Sequence, residues 1–485
     1  MAAGGAHDIA RAWKILAITS FAVFASALDV SILFVAFPDI RRTFSDVSPA
    51  QLSWAINAYT IVFAALLVPA GRLADRIGRK RVFLSGVLVF AIASACAGSA
   101  PTAELLIAAR VLQAVGAALL FPSSLAIVLG EFPQSMRATA VGVWGAVGAL
   151  AAAAGPSLGA LIIEAASWRW AFYINLPIGA LTVLLGLRML RDSRDAEASP
   201  RPDVVGVPLL IAGVGALALG IVQSSEWGWL DGRTLAAFAA AALILPLFLL
   251  RSATHHSPTL DLALFKSHNY RAANLATIIF GAVFFAMFFS NIIFLTGVWG
   301  YSTLEGGLLI TPGPVLAGII AGPAGRIADR AGHRPIMVPG GLIFAAGSAW
   351  RLIEIDVQRE LFTIWFPSLL LTGIGVGLVL PALSSAAVHS LPPNRFAAGS
   401  AVNQTIRQIG AVLGVAITIA ILSSTDAAGL LNDYRTVFIM LAGGGVLTAL
   451  VSATINTRPQ PHALPVPEPP EPEPAAVPRP SGGTP

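Results

Sequence analysis

The chain has 485 residues, 56% of them hydrophobic and 11% charged, with a formal net charge of +5. Ordinary soluble domains carry about 25% charged residues, and a chain of this length cannot hide so much apolar surface from water. A soluble enzyme, a disordered chain and a disulfide-stapled secreted domain are therefore excluded, and the basic excess reads as arginine flanking a membrane rather than as a nucleic-acid surface. The composition predicts an all-α polytopic membrane protein with the lipid bilayer as its solvent.

A span needs about 20 apolar residues to cross the hydrocarbon, and lipid-exposed backbone must close its hydrogen bonds within its own segment. The first such stretch, 14–37, has no cleavage-like site and carries Asp29 in its interior. An acid at that depth is costly and is by default a functional residue. Stretch 51–70 holds Trp54, Asn57 and Tyr59 and runs into Pro69-Ala-Gly-Arg-Leu-Ala-Asp-Arg-Ile-Gly78. Stretch 82–100 contains Cys96, the single cysteine, which reads as a small core residue. Stretch 103–129 encloses Arg110 and, one turn on, Gln113. Stretch 138–162 carries Gly142, Gly145, Gly148, Gly155 and Gly159 with Pro156. Small residues let helices touch closely, and a proline bends them, which suits a rocking interface.

Stretch 169–190 holds Asn175, and 204–223 and 234–250 form a pair. Stretch 271–298 contains Phe284, Phe285, Phe288 and Phe289. With Trp54 and Tyr59 these are candidates for an apolar binding surface. Stretch 305–324 runs into Pro323-Ala-Gly-Arg-Ile-Ala-Asp-Arg-Ala-Gly332, which contains Asp329 and Arg330. Stretches 335–353, 361–386, 398–422 and 435–455 complete fourteen spans, and 398–422 encloses Gln404 and Arg407. The Pro-rich remainder is expected to be an extended, disordered tail.

The two ten-residue stretches ending at Gly78 and Gly332 agree at eight positions. Charge bias alone explains their arginines but not the matched Gly, Asp and Pro. The reading is a duplication: a six-helix bundle over 1–195, an inserted two-helix segment over 196–265, a second six-helix bundle over 266–456 and the tail over 457–485. With the N-terminus inside, 21 of the 30 Lys and Arg fall in cytoplasmic segments, seven outside (Arg351 among these) and two, Arg110 and Arg407, within spans. That bias predicts both termini in the cytoplasm. Duplicated bundles around a midplane site are the architecture of secondary transporters.

At these residues the sequence resembles the major facilitator superfamily, and more closely its fourteen-spanner drug:proton antiporters of bacteria. Gly71-Arg-Leu-Ala-Asp-Arg-Ile-Gly-Arg-Lys80 is similar to the superfamily's loop between spans two and three. Leu28-Asp-Val-Ser-Ile-Leu-Phe-Val-Ala-Phe-Pro38, Arg110-Val-Leu-Gln113 and Gly155-Pro-Ser-Leu-Gly159 resemble its first-span, fourth-span and antiporter motifs. Trp168-Arg-Trp-Ala-Phe-Tyr-Ile-Asn-Leu-Pro-Ile-Gly179 and Asn403-Gln-Thr-Ile-Arg-Gln-Ile-Gly410 resemble signatures of the fourteen-spanners. The resemblance implies the 6+2+6 facilitator fold and export of lipophilic or cationic drugs from the bacterial cytoplasmic membrane. It also implies exchange for protons, with the proton as coupling ion and no cofactor. A carrier of the same fold with a narrow physiological cargo, or a transport-inactive sensor, are the alternatives.

Within that reading Asp29 is the protonation and cation site, tuned by Arg110 and Gln113. Asp29 lies about 8 residues and Arg110 about 7 from the outer ends of their spans, so their depths match, and the family fold lines a central cavity with both helices. Asn57, Asn175, Gln404 and Arg407 are further intramembrane polar groups. Asp75, with Arg76, Arg79, Gly71 and Gly78, is expected to latch the N-terminus of span 398–422 in one state, where a carboxylate meets orphan N–H groups. Asp329 and Arg330 are expected to mirror it against span 138–162. Gly148, Gly155, Pro156 and Gly159 form the antiporter motif. No phosphate-binding loop, zinc-binding helix motif or nucleophile–base set is present, so no enzyme activity and no metal is expected. The protein is expected to be a monomer.

Overall fold

The computed structural model describes residues 2–133, 136–194, 203–353, 358–389, 391, 395–422 and 427–457. Those residues contain no strand, and fourteen helices or helix pairs are long and apolar enough to cross a membrane. In chain order they are α1 (Ile9–Thr43), α2 (Pro49–Ile77), α3 (Arg79–Gly98), α4 (Ala103–Glu131), α5 (Thr139–Ala165), α6 (Trp170–Met189) and α7 (Gly206–Trp227). There follow α8 (Gly232–Thr254), α9 (His268–Gly297), α10 (Thr303–Ala328), α11 (Arg334–Ile353), α12 (Leu361–His389), α13 (Ala398–Ile421) and α14 (Gly429–Ala453). Every predicted span is present, and most of them are longer. α1 continues through Pro38 to Thr43, so Asp29 lies near its middle rather than close to its outer end. The tail beyond Thr457 lies outside the described residues.

Packing repeats with an offset of eight helices. α1 packs on α4, α5 and α6, as α9 does on α12, α13 and α14. α2 packs on α4 as α10 does on α12, and α3 on α4 and α6 as α11 does on α12 and α14. Close backbone approach drives the tightest of these pairs. A Cβ on Gly116 would stand 2.5 Å from the Phe90 backbone nitrogen, and one on Gly86 2.7 Å from that of Leu120. In the second set Gly340 and Gly375 do the same between α11 and α12. Where lipid surrounds the helices, such van der Waals contact replaces the hydrophobic drive.

The matched glycines of the repeated motif have a backbone reason. Gly78 and Gly332 follow α2 and α10 with φ of 120° and 82°, a region that side chains avoid. Neither has room for a Cβ: Asp192 closes on Gly78, and the Thr457 carbonyl on Gly332.

The extra hairpin, α7 with α8, packs through α7 on both α2 and α13. Asp203 anchors its start. One carboxylate oxygen accepts from the Gly206 N–H at 2.9 Å and from Arg251 Nε and Nη2, both at 3.1 Å. Burial disfavours the charged form of Asp203, but Gly206, Arg251 and His255 outweigh it and hold the group below the usual carboxylate range. Arg72 Nη1 donates to Ser257 Oγ at 2.5 Å, tying the motif of α2 to the segment after α8.

The two sets of helices meet along α2 and α13, where Thr405 Oγ1 donates to the Ala64 carbonyl at 3.0 Å, and at the end away from the repeated motif. Phe34 and Phe37 of α1 pack edge-on against Phe288 and Phe289 of α9, at 5.6 and 5.1 Å between centroids. Thr303 donates to Asp39 at 2.7 Å, and Ser157 of α5 bonds Thr311 of α10 at 2.5 Å. Nearer the motif end, a Cβ on Gly145 of α5, or on Gly318 or Gly322 of α10, would meet nothing within 4 Å. Cys96 faces out of the bundle instead of into a core. A weakly polar thiol is at home against lipid, so the inside–outside rule of soluble cores misplaces it.

Gly116→Val is expected to lower the thermal stability of the purified protein by about 1–3 kcal/mol through overpacking. Gly145→Val is expected to leave it unchanged; thermal unfolding in detergent checks both.

Candidate functional site

Five helices of the first set converge on one buried polar cluster. Asp29 on α1 is 3% exposed and Arg110 on α4 is 1% exposed. Arg110 Nη1 donates to Asp29 Oδ2 at 2.5 Å and to Gln113 Oε1 at 2.6 Å. Gln113 Nε2 donates to the other Asp29 oxygen at 2.7 Å and to Ser94 Oγ on α3 at 2.8 Å. Asn175 Nδ2 on α6 donates to the same pair of acceptors, at 3.1 and 3.3 Å. Arg110 Nε reaches the Ala55 carbonyl of α2 at 3.1 Å, and the guanidinium lies 4.0 Å over the Tyr59 ring.

The local sequence explains the convergence. The i, i+3 spacing puts Arg110 and Gln113 on one face of α4. Gly86 and Gly116 draw α3 onto α4, which brings Ser94 within reach of Gln113. The predicted trio of Asp29, Arg110 and Gln113 is thus assembled, with Asn175 added. It lies in the interior of the first helix set, not in an open cavity between the two sets. Ser94 was not singled out in the sequence, and a serine in an apolar run carries no warning. Asn57 is buried but bonds only Ser53 Oγ, at 3.4 Å, and its carbonyl oxygen has no partner.

A buried ion pair has a large desolvation cost, offset only when its remaining lone pairs and protons are satisfied. Here Asp29 accepts three hydrogen bonds, and Arg110 has two acceptors and a ring besides the acid. Protonation of Asp29 would therefore break the ion pair and leave the guanidinium with neutral acceptors and a ring.

The other candidate residues are dispersed. Asp75 near the end of α2 pairs with Arg79, the first residue of α3, Oδ1 to Nη2 at 2.9 Å, while Arg76 is exposed. Among the described residues no contact joins Asp75 to the start of α13, so the expected latch is not engaged in this state. The motif loop instead holds the segment after α6. Lys80 Nζ donates to the Leu187 and Leu190 carbonyls at 2.9 and 2.7 Å, and Arg81 pairs with Asp192 at 3.2 Å. Gly71 packs against Pro122. The side chain of Asp329 and the surroundings of Gly142 lie outside what is described, and Arg330 is exposed.

The antiporter motif divides its work. Gly155 meets Ser31, Gly159 meets Ile32 and Gly148 meets Val23, all on α1 of the same helix set. Pro156 faces the other set, where a Cβ on Gly307 would lie 2.6 Å from its carbonyl oxygen. Of the aromatics, Tyr59 is taken up by Arg110, Trp54 packs near α7, and Phe285, Phe288 and Phe289 form a seam with Phe34. Arg407 bonds Gln404 on its own helix. Nearby, Asn403 Nδ2 donates to Asn274 Oδ1 and Thr277 Oγ1 of α9, both at 3.0 Å, a link the sequence did not reveal.

Arg110→Ala is expected to cost about 3–5 kcal/mol of stability by leaving Asp29 buried and unpaired. The double variant with Asp29→Asn is expected to recover part of that loss. Thermal unfolding of the two singles and the double measures the coupling.

With this geometry in hand, comparison with known proteins is informative. A family model described as Major Facilitator Superfamily matches residues 19–414 and 273–480. The methylenomycin A resistance protein of Streptomyces coelicolor is 32% identical over 426 residues, which cover 87% of this chain and 88% of that protein. The tetracenomycin C resistance and export protein of Streptomyces glaucescens is 31% identical over 85% of this chain and 76% of its own length. The multidrug efflux pump LfrA of Mycolicibacterium smegmatis is 33% identical over 84% and 80%. Among solved structures, a D-xylose–proton symporter superposes with a TM-score of 0.67 at 14% identity, covering 91% of this chain and 97% of that one. A bacterial Spinster homologue in an inward-facing, unoccupied conformation gives 0.62 at 15% identity, over 92% and 98%. The matched motifs, the fourteen spans and these likenesses agree: the chain belongs to the major facilitator superfamily.

Proposed function

We propose that this protein is a proton-coupled antiporter that exports lipophilic or cationic small molecules, antibiotics among them, across a bacterial cytoplasmic membrane by alternating access. One observation carries the reading. Among the described residues Asp29 is the one carboxylate buried inside a span, and its cation keeps other partners when the acid is neutralised. A nearby cation favours the carboxylate and desolvation the neutral acid. A rearrangement that shifts α1 against α4 changes both influences, and so loads or releases a proton.

Alternation is supported by where the two helix sets touch. The end away from the motif is sealed by Phe34, Phe37, Phe288 and Phe289 and by the Ser157–Thr311 bond. In the proposed orientation the motif end is cytoplasmic, and this state faces inward. The phenylalanine seam, with Phe284 and Phe285 at its edge, supplies the apolar surface for a flat lipophilic cargo. The names of the relatives, two of them antibiotic resistance proteins and one a multidrug efflux pump, favour export over import.

In vesicles holding the purified protein, substrate addition is expected to move protons, and Asp29→Asn is expected to bring that movement to background. Undiminished coupled transport by the variant would reject the assignment. Asp75→Asn is expected to favour the present state by about 1 kcal/mol, roughly fivefold in population, because it weakens the latch of the opposite state. Labelling of a cysteine placed at Gly145 in a Cys96→Ser background reports that shift.

A further inference from the structure

Arg351, at the end of the predicted span 335–353, is the buried cation that the charge count assigned to the outer side. It lies inside α11 and is 2% exposed. Nε donates to Ser368 Oγ of α12 at 2.6 Å, and Nη1 to Asn291 Oδ1 of α9 at 2.5 Å. The guanidinium lies 4.5 Å over the Trp365 ring and 5.2 Å over that of Phe438. Among the described residues it pairs with no carboxylate. Its Nη2, the Nδ2 of Asn291 and the hydroxyl of Tyr434 are all buried without a hydrogen-bond partner.

The place matches that of the ion pair in the first helix set. Ser368 is the eighth residue of α12, as Arg110 is of α4, and Tyr434 lies near the start of α14, as Asn175 does near that of α6. α9 contributes a neutral amide, Asn291, where α1 contributes the carboxylate of Asp29. Among the described residues, the second set thus encloses a positive charge without a counter-charge. Isolated charges are not kept away from water without a partner, and buried donors left without acceptors are rare in native folds. The donors here share one preference: an acceptor that carries negative charge.

We propose that Arg351 and Asn291, beside Ser368 and Tyr434, form an anion-binding site for a small monovalent anion, either a free halide or the carboxylate of a small organic molecule. The aromatic group of Phe294, Trp299 and Trp365 covers it in this state, with Phe294 and Trp365 stacked at 6.1 Å. Access therefore follows from opening of the end away from the motif. The site does not depend on proton coupling at Asp29.

Thermal unfolding of the purified full-length protein tests this, with sodium chloride and sodium acetate titrated separately from a low-salt buffer. The midpoint of the wild type is expected to rise by several degrees and saturate with at least one anion. The same titration is expected to be flat for Arg351→Gln and for Asn291→Asp, which supplies an internal carboxylate. A response to chloride alone assigns a free halide, and one to acetate alone a carboxylate; a response to both assigns a site open to either. Should Arg351→Gln fail to fold, Asn291→Asp carries the comparison. No saturating response in the wild type, or an equal one in Asn291→Asp, overturns the proposal and leaves the reading of Asp29 untouched.

Discussion

A charge enclosed within a membrane-spanning fold has no bulk water to fall back on, so its partners must come from the protein or from a bound molecule. The polar interior of this molecule is organised by that constraint. In the first helix set it is met internally: Asp29 and Arg110 neutralise one another, and Gln113 and Asn175 donate to the acid and to Ser94, with only the Asn175 Oδ1 of that cluster left without a partner. In the second set Arg351 has neutral partners and donors to spare. The packing of the two sets repeats, but their electrostatics are unequal.

Symmetry is strongest where backbones touch. Gly86 with Gly116, and Gly340 with Gly375, bring α3 onto α4 and α11 onto α12 so closely that side chains are excluded. The two positive-φ glycines end equivalent helices. What each loop then grips differs: Asp192 and the segment after α6 in the first case, Thr457 in the second. The same backbone device therefore fastens two different pieces of chain.

The inserted hairpin breaks the symmetry in another way. α7 packs against α2 and α13, helices of different sets, and the segment after α8 is bonded to Arg72 at the end of α2. Sliding of α2 past α13 has to carry the hairpin along or shear it. Small residues at the α1–α5 contact and the proline facing α10 lie on one helix, α5.

The sequence by itself determined the solvent, the number of spans, the duplication and the family, because hydropathy over about 20 residues and a repeated loop are local signals. It also exposed Asp29 and Arg110, since a charge in an apolar run stands out at any position. Tertiary structure alone decided which neutral groups join them. Ser94 is unremarkable in its own helix and Asn175 is one polar residue among several; both join the site only because five helices meet. It also turned Arg351 from the outer side to the core, as a long side chain near a helix end can turn either to water or inward, and only Asn291 and Ser368 settle the direction. It turned Cys96 outward and set Gly155 against Ser31 for the same reason. The face a residue presents depends on the neighbouring helices, and periodicity says little when both lipid and core are apolar.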